Sequence, residues 1–269
     1  MSGGWQGRVL AIGGSDSSGG AGVQADIKTI TMLGGYAATA ITAVTVQDTR
    51  GIHAVHPIPA EVVIAQAGAV LGDIGADAIK TGMLGSKAVV EALAELLGGL
   101  DLPIVIDPVM AATTGAALLE PDAIEALRAR LIPLAALFTP NAPEAGRLTG
   151  LTIACTDDLR RAGDILLGMG ARAVLMKGGH VPGDVITDVL MTPGGEATFS
   201  GPRLATRHTH GTGCTLAAAC AVGLAQGLKP EASVARAWAY VAEAIRTAPV
   251  LGAGQGPLNH GWPLNPQQG

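Results

Sequence analysis

The stretch RVLAIGGSDSSGGAGVQADIKTITMLGG, residues 8–35, decides the fold. It begins with an apolar run at residues 9–12 that ends in Gly13-Gly14, and a short apolar run bounded by glycines is typical of a buried strand. Residues 22–33 then have the pattern of a helix, which stops at Gly34-Gly35. A strand followed directly by a helix is the first βα unit of an α/β protein.

The same alternation continues along the chain. Strands are also predicted at residues 36–46, 78–81, 104–106, 137–139, 173–176, 185–191 and 196–199, the last two as a β-hairpin. Helices are predicted at residues 59–71, 87–97, 121–131, 143–148, 157–169, 215–226 and 230–248. Repeated βα units predict a doubly wound, mostly parallel sheet with helices on both faces, and the absence of a linker predicts a single domain over residues 1–269.

The composition fits such a sheet and narrows the classes of partner. Hydrophobic residues make up 48% and aromatic residues 3%, so the core must consist of aliphatic side chains, which suit a parallel sheet. A net charge of −5 without a basic run disfavours nucleic acid as a partner. No apolar run reaches the roughly 18 residues of a membrane span. Three cysteines without a CxxC pair, and no signal peptide, lead us to expect reduced thiols and a cytoplasmic protein.

Polar and glycine-rich segments follow most of the predicted strands. In open α/β sheets, ligands bind beyond the carboxyl ends of the strands, so we predict that these segments share one crevice. The segments are Gly13-Gly14-Ser15-Asp16, Gln47-Asp48, Thr81-Gly82-Met83, Asp107-Pro108-Val109-Met110, Asn141 with Glu144, and Lys177-Gly178-Gly179-His180.

The segment Gly211-Thr212-Gly213-Cys214 opens an apolar helix. Its glycines let backbone amides turn toward a ligand, and a helix N-terminus attracts anions, so a phosphoryl group would be held there. The same field would lower the pKa of the Cys214 thiol. We therefore expect a thiolate near neutral pH that accepts a proton from a substrate hydroxyl. The alternative is a small, buried cysteine at the start of a helix.

Two further groups fit phosphoryl transfer from ATP, which needs Mg²⁺. Asp107 and the pair Asn141 and Glu144 offer the oxygen ligands that Mg²⁺ prefers. The alternative is that Asn141 caps a helix and Glu144 is an acid of its first turn. Lys177 directly follows an apolar run, which favours contact with a phosphate.

Three other kinds of site are disfavoured. No lysine follows a glycine, which excludes a P-loop. Gly20-x-Gly22-x-x-Ala25 matches a dinucleotide fingerprint loosely, but five residues separate Gly14 from Gly20, whereas that fingerprint follows its strand almost directly. His208 and His210 suggest a metal site, yet no further ligand of the right type lies nearby in the sequence.

Together the motifs closely resemble the hydroxymethylpyrimidine/phosphomethylpyrimidine kinases of thiamine synthesis, in the ribokinase-like superfamily. The resemblance extends over residues 8–260. It is carried by GGSDSSGGAGVQADIKT, TAVTVQDTRG, KTGML, DPVM, TPNAPEA, LMKGGH, HTHGTGCTLAAA and GPLNH, which occur in that order. It implies a three-layer ribokinase-like fold. It also implies two successive phosphorylations with ATP and Mg²⁺, the first on 4-amino-5-hydroxymethyl-2-methylpyrimidine and the second on its monophosphate.

The resemblance also implies roles for single residues. Gln47 would hydrogen-bond the polar edge of the pyrimidine, and the rest of its pocket would be Gly14, Asp26, Met83 and Val109. The ATP phosphates would meet Lys177, Asn141, Thr212 and Gly213, and Mg²⁺ with its waters would be held by Asp107 and Glu144. Catalysis would fall to Cys214 with Gly211, Gly213 and Lys177, and Cys214 stands where many sugar kinases of the superfamily carry an aspartate base.

One position departs from the pattern of the family. Its loop often reads Asp-Pro-Ser-Gly-Gly, and Ser17 stands here in place of the proline. We expect a slightly looser loop and the same substrate. The small and polar residues 111–118 are predicted to form a mobile lid that excludes water. We also expect a homodimer.

Three other functions stay open. A pyridoxal kinase of the same subgroup would act on a similar flat ring with a hydroxymethyl group, although Gln47 favours the aminopyrimidine. A non-catalytic, pyrimidine-binding regulatory protein could use the same fold. A dinucleotide oxidoreductase is disfavoured by the length of the glycine loop.

Overall fold

The computed structural model describes residues 6–112, 115 and 117–264. Within them, nine strands form one sheet in the order β3-β2-β1-β4-β5-β6-β7-β8-β9. The strands are β1 (Arg8–Asp16), β2 (Tyr36–Asp48), β3 (Gly51–Pro57), β4 (Ala78–Thr81), β5 (Ile104–Ile106), β6 (Leu137–Phe138), β7 (Val174–Met176), β8 (Val185–Thr192) and β9 (Gly195–Pro202). The helices are α1 (Gly22–Met32), α2 (Ala60–Gly72), α3 (Lys87–Gly98), α4 (Pro121–Ala126), α5 (Ala142–Thr149), α6 (Thr156–Gly168), α7 (Thr212–Ala225) and α8 (Pro230–Arg246).

The six central strands are parallel, while β3, β8 and β9 pair antiparallel at the two ends of the sheet. The prediction of a doubly wound, mostly parallel sheet is confirmed. From β1 the strand order runs to β2 on one side and to β4 on the other. Such a switch point opens a crevice beyond the carboxyl ends of the two strands, where ligands bind in this class of fold.

Successive side chains of the central strands pack into two separate hydrophobic cores, one on each face of the sheet. In β1, Leu10 and Ile12 face the layer of α2 to α6, whereas Val9 faces the layer of α1, α7 and α8. In β5, Ile104 faces the first layer and Val105 the second in the same way. This alternation explains why these strands read as continuous apolar runs, since both of their faces are covered.

Helix α7 begins three residues earlier than predicted, at Thr212. Gly211 precedes it with φ +88°, a left-handed conformation that a side chain would strain. A Cβ at this position would also collide with the carbonyl oxygen of Gly20. Because Gly211 can take this conformation, the helix starts at once, and Thr212, Gly213 and Cys214 form its first turn.

Other differences lie at the edges of the sheet and in one helix. Strand β3 was not predicted, because most residues of GIHAVHP are exposed or only half-buried and leave no apolar alternation. The predicted helix 121–131 ends as α4 at Ala126 and continues as a π-helical turn over Leu127–Leu131. In the part of the chain that is described, no helix has the length and apolarity needed to cross a membrane.

A matched pair of glycine substitutions tests the close packing of α7 on α8. A Cβ at Gly223 would overlap the side chain of Ser233 on α8, whereas a Cβ at Gly68 on α2 would meet nothing within 4 Å. We expect Gly223→Ala to lower the free energy of unfolding by about 1–3 kcal/mol through overpacking. Gly68→Ala should raise it by up to about 1 kcal/mol through helix propensity. Urea unfolding measures both changes, and equal effects would contradict the packing described here.

Candidate active site

All thirteen residues to which the resemblance gives a role, and at least one residue of each polar strand-end segment, lie around one cavity of about 540 Å³ at the carboxyl edge of the sheet. The prediction of a shared crevice is therefore confirmed, and the role of each residue stays a prediction. The predicted residues that line the cavity are Gly14, Asp26, Gln47, Met83, Asp107, Val109, Asn141, Glu144, Lys177, Gly211, Thr212, Gly213 and Cys214.

The N-terminus of α7 opens into this cavity. The Thr212 amide donates to the Thr209 carbonyl oxygen at 3.2 Å. The amides of Gly213 and Cys214 have no acceptor within the helix, so they can donate to a ligand. A Cβ placed on Gly213 would lie 3.4 Å from Lys177 Nζ and 3.5 Å from Asp107 Oδ2. A lysine cation and a carboxylate therefore border the positive end of the helix, and the lysine together with the helix N-terminus suits an anion.

Lys177 and Asp107 form an ion pair at the ends of β7 and β5. Lys177 Nζ donates to Asp107 Oδ1 at 2.8 Å, and Thr139 Oγ1 donates to the same oxygen at 3.2 Å. Burial opposes the charge of Lys177, but Asp107 and Glu144 outweigh it and raise the lysine pKa. Lys177 is therefore a stable cation at neutral pH.

Asn141 and Glu144 form a capping box at the start of α5. The Glu144 amide donates to Asn141 Oδ1 at 2.9 Å, and the Asn141 amide donates to Glu144 Oε2 at 2.8 Å. The alternative of a helix cap and a first-turn acid is thus confirmed, although both residues also line the cavity. Burial raises the pKa of Glu144 to about 7, against the opposing charge of Lys177.

The acidic groups fit a magnesium ion that is held mainly by phosphates and water. The Asp107 charge acts on Glu144 and helps to raise its pKa, so the two carboxylates face the same region. Among the described residues, no group of three or more His, Cys, Asp or Glu side chains forms a metal cage. Two carboxylates without a cage are the usual protein contribution to Mg²⁺ in phosphoryl transfer.

The prediction that Cys214 is a thiolate near neutral pH is wrong for the protein alone. Burial raises the pKa of the Cys214 thiol to about 11, although the nearby charge of Lys80 opposes this shift. The backbone N–H of Gly22 also hydrogen-bonds the sulfur and lowers the pKa. Desolvation of the thiolate outweighs both contributions, and the sequence did not show how deeply the sulfur lies.

Lys80 is a residue of the site that sequence reasoning missed. Its Nζ lies 2.9 Å from both carboxylate oxygens of Asp26, and the two side chains are 1% and 0% exposed. Asp26 thus borders the cavity as predicted, but with its carboxylate paired. The sequence contained a signal that could have identified it. Lys80 lies inside the strand AIKT, which is buried throughout, and a buried lysine needs a counter-charge, as was argued for Lys177.

Asp188 and Arg203 were also missed, and both shape the loop that follows β7. The Gly178 amide donates to Asp188 Oδ1 at 2.7 Å. The Arg203 guanidinium donates to three carbonyl oxygens of this loop, those of Gly179 at 2.8 Å, Val181 at 2.6 Å and Gly183 at 2.7 Å. The loop beside Lys177 is therefore held in one conformation.

The loosening expected at Ser17 stays a prediction, but this serine is held by two hydrogen bonds. Its hydroxyl donates to the carbonyl oxygen of Gln47 at 2.7 Å and accepts from the Gln47 amide at 2.8 Å. A proline could form neither bond, because it has no hydroxyl. The serine therefore connects the glycine loop directly to the end of β2.

Comparison with known proteins gives a consistent result. A family model described as phosphomethylpyrimidine kinase matches residues 16–259. A hydroxymethylpyrimidine/phosphomethylpyrimidine kinase from Streptomyces coelicolor is 48% identical over 256 residues, which is 95% of each chain.

Two solved structures extend the likeness to the fold. A phosphomethylpyrimidine kinase from Clostridium difficile superposes with a TM-score of 0.79 at 39% identity, over 88% of this chain and 99% of that one. An ADP complex of Bacillus subtilis pyridoxal kinase gives a TM-score of 0.89 at 34% identity, over 97% and 100%. The predicted ribokinase-like fold is confirmed by these neighbours.

The buried pair of Lys80 and Asp26 gives a stability prediction. Lys80→Met leaves the Asp26 carboxylate buried without a partner and should lower the free energy of unfolding by about 3–5 kcal/mol. The double variant Lys80→Met/Asp26→Leu should recover most of that loss, because no buried charge then remains unpaired. Denaturant unfolding at neutral pH compares the two. A double variant as unstable as the single one would show that volume, not charge, is what matters here.

Proposed function

We propose that this chain, which belongs to the phosphomethylpyrimidine kinase family, carries out its reaction in the cavity at the N-terminus of α7. The chain is a kinase of thiamine biosynthesis. It transfers the γ-phosphoryl group of ATP to the hydroxymethyl oxygen of 4-amino-5-hydroxymethyl-2-methylpyrimidine, and then a second phosphoryl group to the monophosphate. The observation that carries the assignment of the site is the meeting of the α7 N-terminus with Lys177 and Asp107 around one cavity.

The main contribution of the site to catalysis would be to stabilise the negative charge of the phosphoryl group. The amides at the start of α7 and the Lys177 ammonium would hold the phosphoryl oxygens as their charge grows in the transition state. Asn141 and Thr212 also line the cavity and would contact the ATP phosphates. A bound Mg²⁺ would neutralise phosphate charge, with Asp107 and Glu144 holding its waters.

The pyrimidine would occupy the part of the cavity bounded by Gly14, Gln47, Met83 and Val109. The Gln47 amide offers both a donor group and an acceptor group for the polar edge of the ring. The paired Asp26 carboxylate closes this region without adding net charge, because Lys80 neutralises it. A neutral aromatic ring fits such surroundings.

In its thiolate form, Cys214 would take the proton of the hydroxymethyl group as the hydroxymethyl oxygen bonds to the γ-phosphorus and the bond to the ADP oxygen breaks. A thiol with a pKa of about 11 is rarely ionised at neutral pH. Phosphoryl transfer tolerates this, because its loose transition state needs little activation of the nucleophile. The proton therefore leaves late, and the fixed charges contribute more to the rate than the base does.

Three further features belong to the proposal. The resemblance supports a homodimer, and exposed valines on β2, Val44 and Val46, offer apolar surface for a second copy. The free cysteines Cys155, Cys214 and Cys220 support a cytoplasmic location. The lid predicted at residues 111–118 lies partly outside the described residues, although Ala111, Ala112 and Leu118 line the cavity.

Pyridoxal phosphorylation is a second candidate, because the pyridoxal kinase neighbour superposes with the higher TM-score, 0.89 against 0.79. Steady-state kinetics with ATP and each substrate decide between them. We expect kcat/KM for the pyrimidine to exceed that for pyridoxal. A larger value for pyridoxal would reverse the assignment, and binding of the pyrimidine without turnover would indicate a regulatory protein.

Substitution of Cys214 tests its part in proton transfer. Cys214→Ala should lower kcat by about 10²-fold or more, the usual scale for loss of a general base. Because the active form is the thiolate, kcat/KM of the unsubstituted enzyme should rise with pH below a pKa of about 11, and the variant should lose this slope. Cys220→Ala is the matched control, since Cys220 lies buried on the same helix and does not line the cavity. An unchanged kcat in Cys214→Ala would mean that the cysteine is structural.

A further inference from the structure

The side chain of Gln47 lies between two polar neighbours. Its Oε1 is 3.2 Å from Thr45 Oγ1, and its Nε2 is 3.3 Å from His210 Nε2. Either atom of the amide can face either neighbour, because oxygen and nitrogen differ only in whether they accept or donate. The hydrogen bonds that Thr45 and His210 make elsewhere decide which orientation is stable.

His210 can only donate toward Gln47. Its Nε2 lies 2.8 Å from Asp16 Oδ2. Burial disfavours the Asp16 carboxylate, but hydrogen bonds from His210, Ser18 and the Ala21 amide outweigh it and lower its pKa to about 2. An ionised carboxylate only accepts, so His210 Nε2 must carry the hydrogen. The Nε2 hydrogens of Gln47 would then face another N–H group.

Thr45 can only accept from Gln47. Its hydroxyl lies 2.9 Å from the carbonyl oxygen of Ser15, to which it must donate its single hydrogen. Gln47 Oε1 would then face an oxygen lone pair. Turning the amide by 180° removes both conflicts, because Nε2 then donates to Thr45 and Oε1 faces the His210 N–H. The single hydrogen of that N–H is then shared between Asp16 at 2.8 Å and Gln47 at 3.3 Å as a three-centre bond.

We propose that Asp16, His210 and Thr45 fix the Gln47 amide in this turned orientation and thereby set the preference for an aminopyrimidine. These three residues and Ser17 are called the Gln47 clamp below. The inference deepens the proposed function and rests on it. His210 and Thr45 act through Gln47 and are positioning residues.

The clamp is rigid before any substrate arrives. Thr45 is 4% exposed and His210 is 6% exposed. The His210 amide donates to the Gly256 carbonyl at 3.2 Å, so its backbone is held as well. Ser17 holds the backbone of Gln47 through two hydrogen bonds. A polar group held in this way loses little entropy when a ligand binds.

The fixed amide presents one lone pair of Oε1 beside one hydrogen of Nε2. The substrate carries a 4-amino group next to a ring nitrogen, which is a donor beside an acceptor, so both bonds can form together. Pyridoxal has no amino group and cannot complete this pair. A site built for two hydrogen bonds discriminates against a ligand that supplies only one, because a buried polar group is left unpaired.

The first test is Thr45→Val, which keeps the shape of the side chain and removes the acceptor. The Gln47 amide then loses the bond that orients it. We expect KM for the pyrimidine to rise about 10-fold with kcat within about 3-fold, and KM for pyridoxal to stay within about 3-fold. Thr247→Val is the matched control, since Thr247 also loses a hydrogen bond, to the Glu243 carbonyl, but does not line the cavity. It should change neither KM.

The second test places a different donor at His210. His210→Leu should raise KM for the pyrimidine as Thr45→Val does, and His210→Gln should restore it largely, because the glutamine amide can donate from nearly the position of Nε2. Thermal melting shows that each variant is folded. Equal losses of kcat/KM for both substrates, or no rescue by glutamine, would overturn the clamp. Failure of the unsubstituted enzyme to phosphorylate the pyrimidine would instead overturn the proposed function, so the two failures are distinguishable.

Discussion

The burial of α7 is the constraint on which the rest of the site depends. From Thr215 to Gly223 every residue of this helix is buried, so it has no polar face to turn toward water. A helix that is apolar on all sides must be covered on all sides. The sheet covers one side, and α1 and α8 cover the others. Its N-terminus lies at the carboxyl edge of the sheet and opens into the cavity, where first-turn amides that have no acceptor within the helix can donate to a ligand.

Two ion pairs lie near that terminus, and they differ in how deeply they are buried. The Lys80 ammonium contacts both oxygens of Asp26, and the side chain is 1% exposed. Its contacts therefore lie inside the protein. Lys177 contacts one oxygen of Asp107 and keeps 12% of its side chain exposed, which leaves donors free for a phosphate. The first pair can fix structure, and the second can exchange partners when a ligand binds. The same residue type thus serves two purposes because its burial differs.

Local sequence was sufficient for some features and not for others. The apolar runs of β1, β4 and β5 and the polar residues after them predicted the sheet and the place of the crevice, because both faces of these strands are covered. The start of α7 was missed, since the φ of Gly211 depends on the approach of Gly20 from a distant loop. The pKa of Cys214 was predicted in the wrong direction for a similar reason. A helix N-terminus is visible in the sequence, whereas the desolvation of a sulfur by its neighbours is not.

Ser17 replaces the proline that is common in the family, and it stabilises the same loop in a different way. A proline in a loop stabilises it by restricting φ, which reduces the freedom of the unfolded chain. The serine gives up that restriction but forms two hydrogen bonds to the backbone of Gln47. The glycine loop and the end of β2 are thereby coupled directly, whereas proline would stiffen the loop by itself. Because Asp16 and Gln47 both contact His210, this coupling also links the two ends of the network that orients the amide.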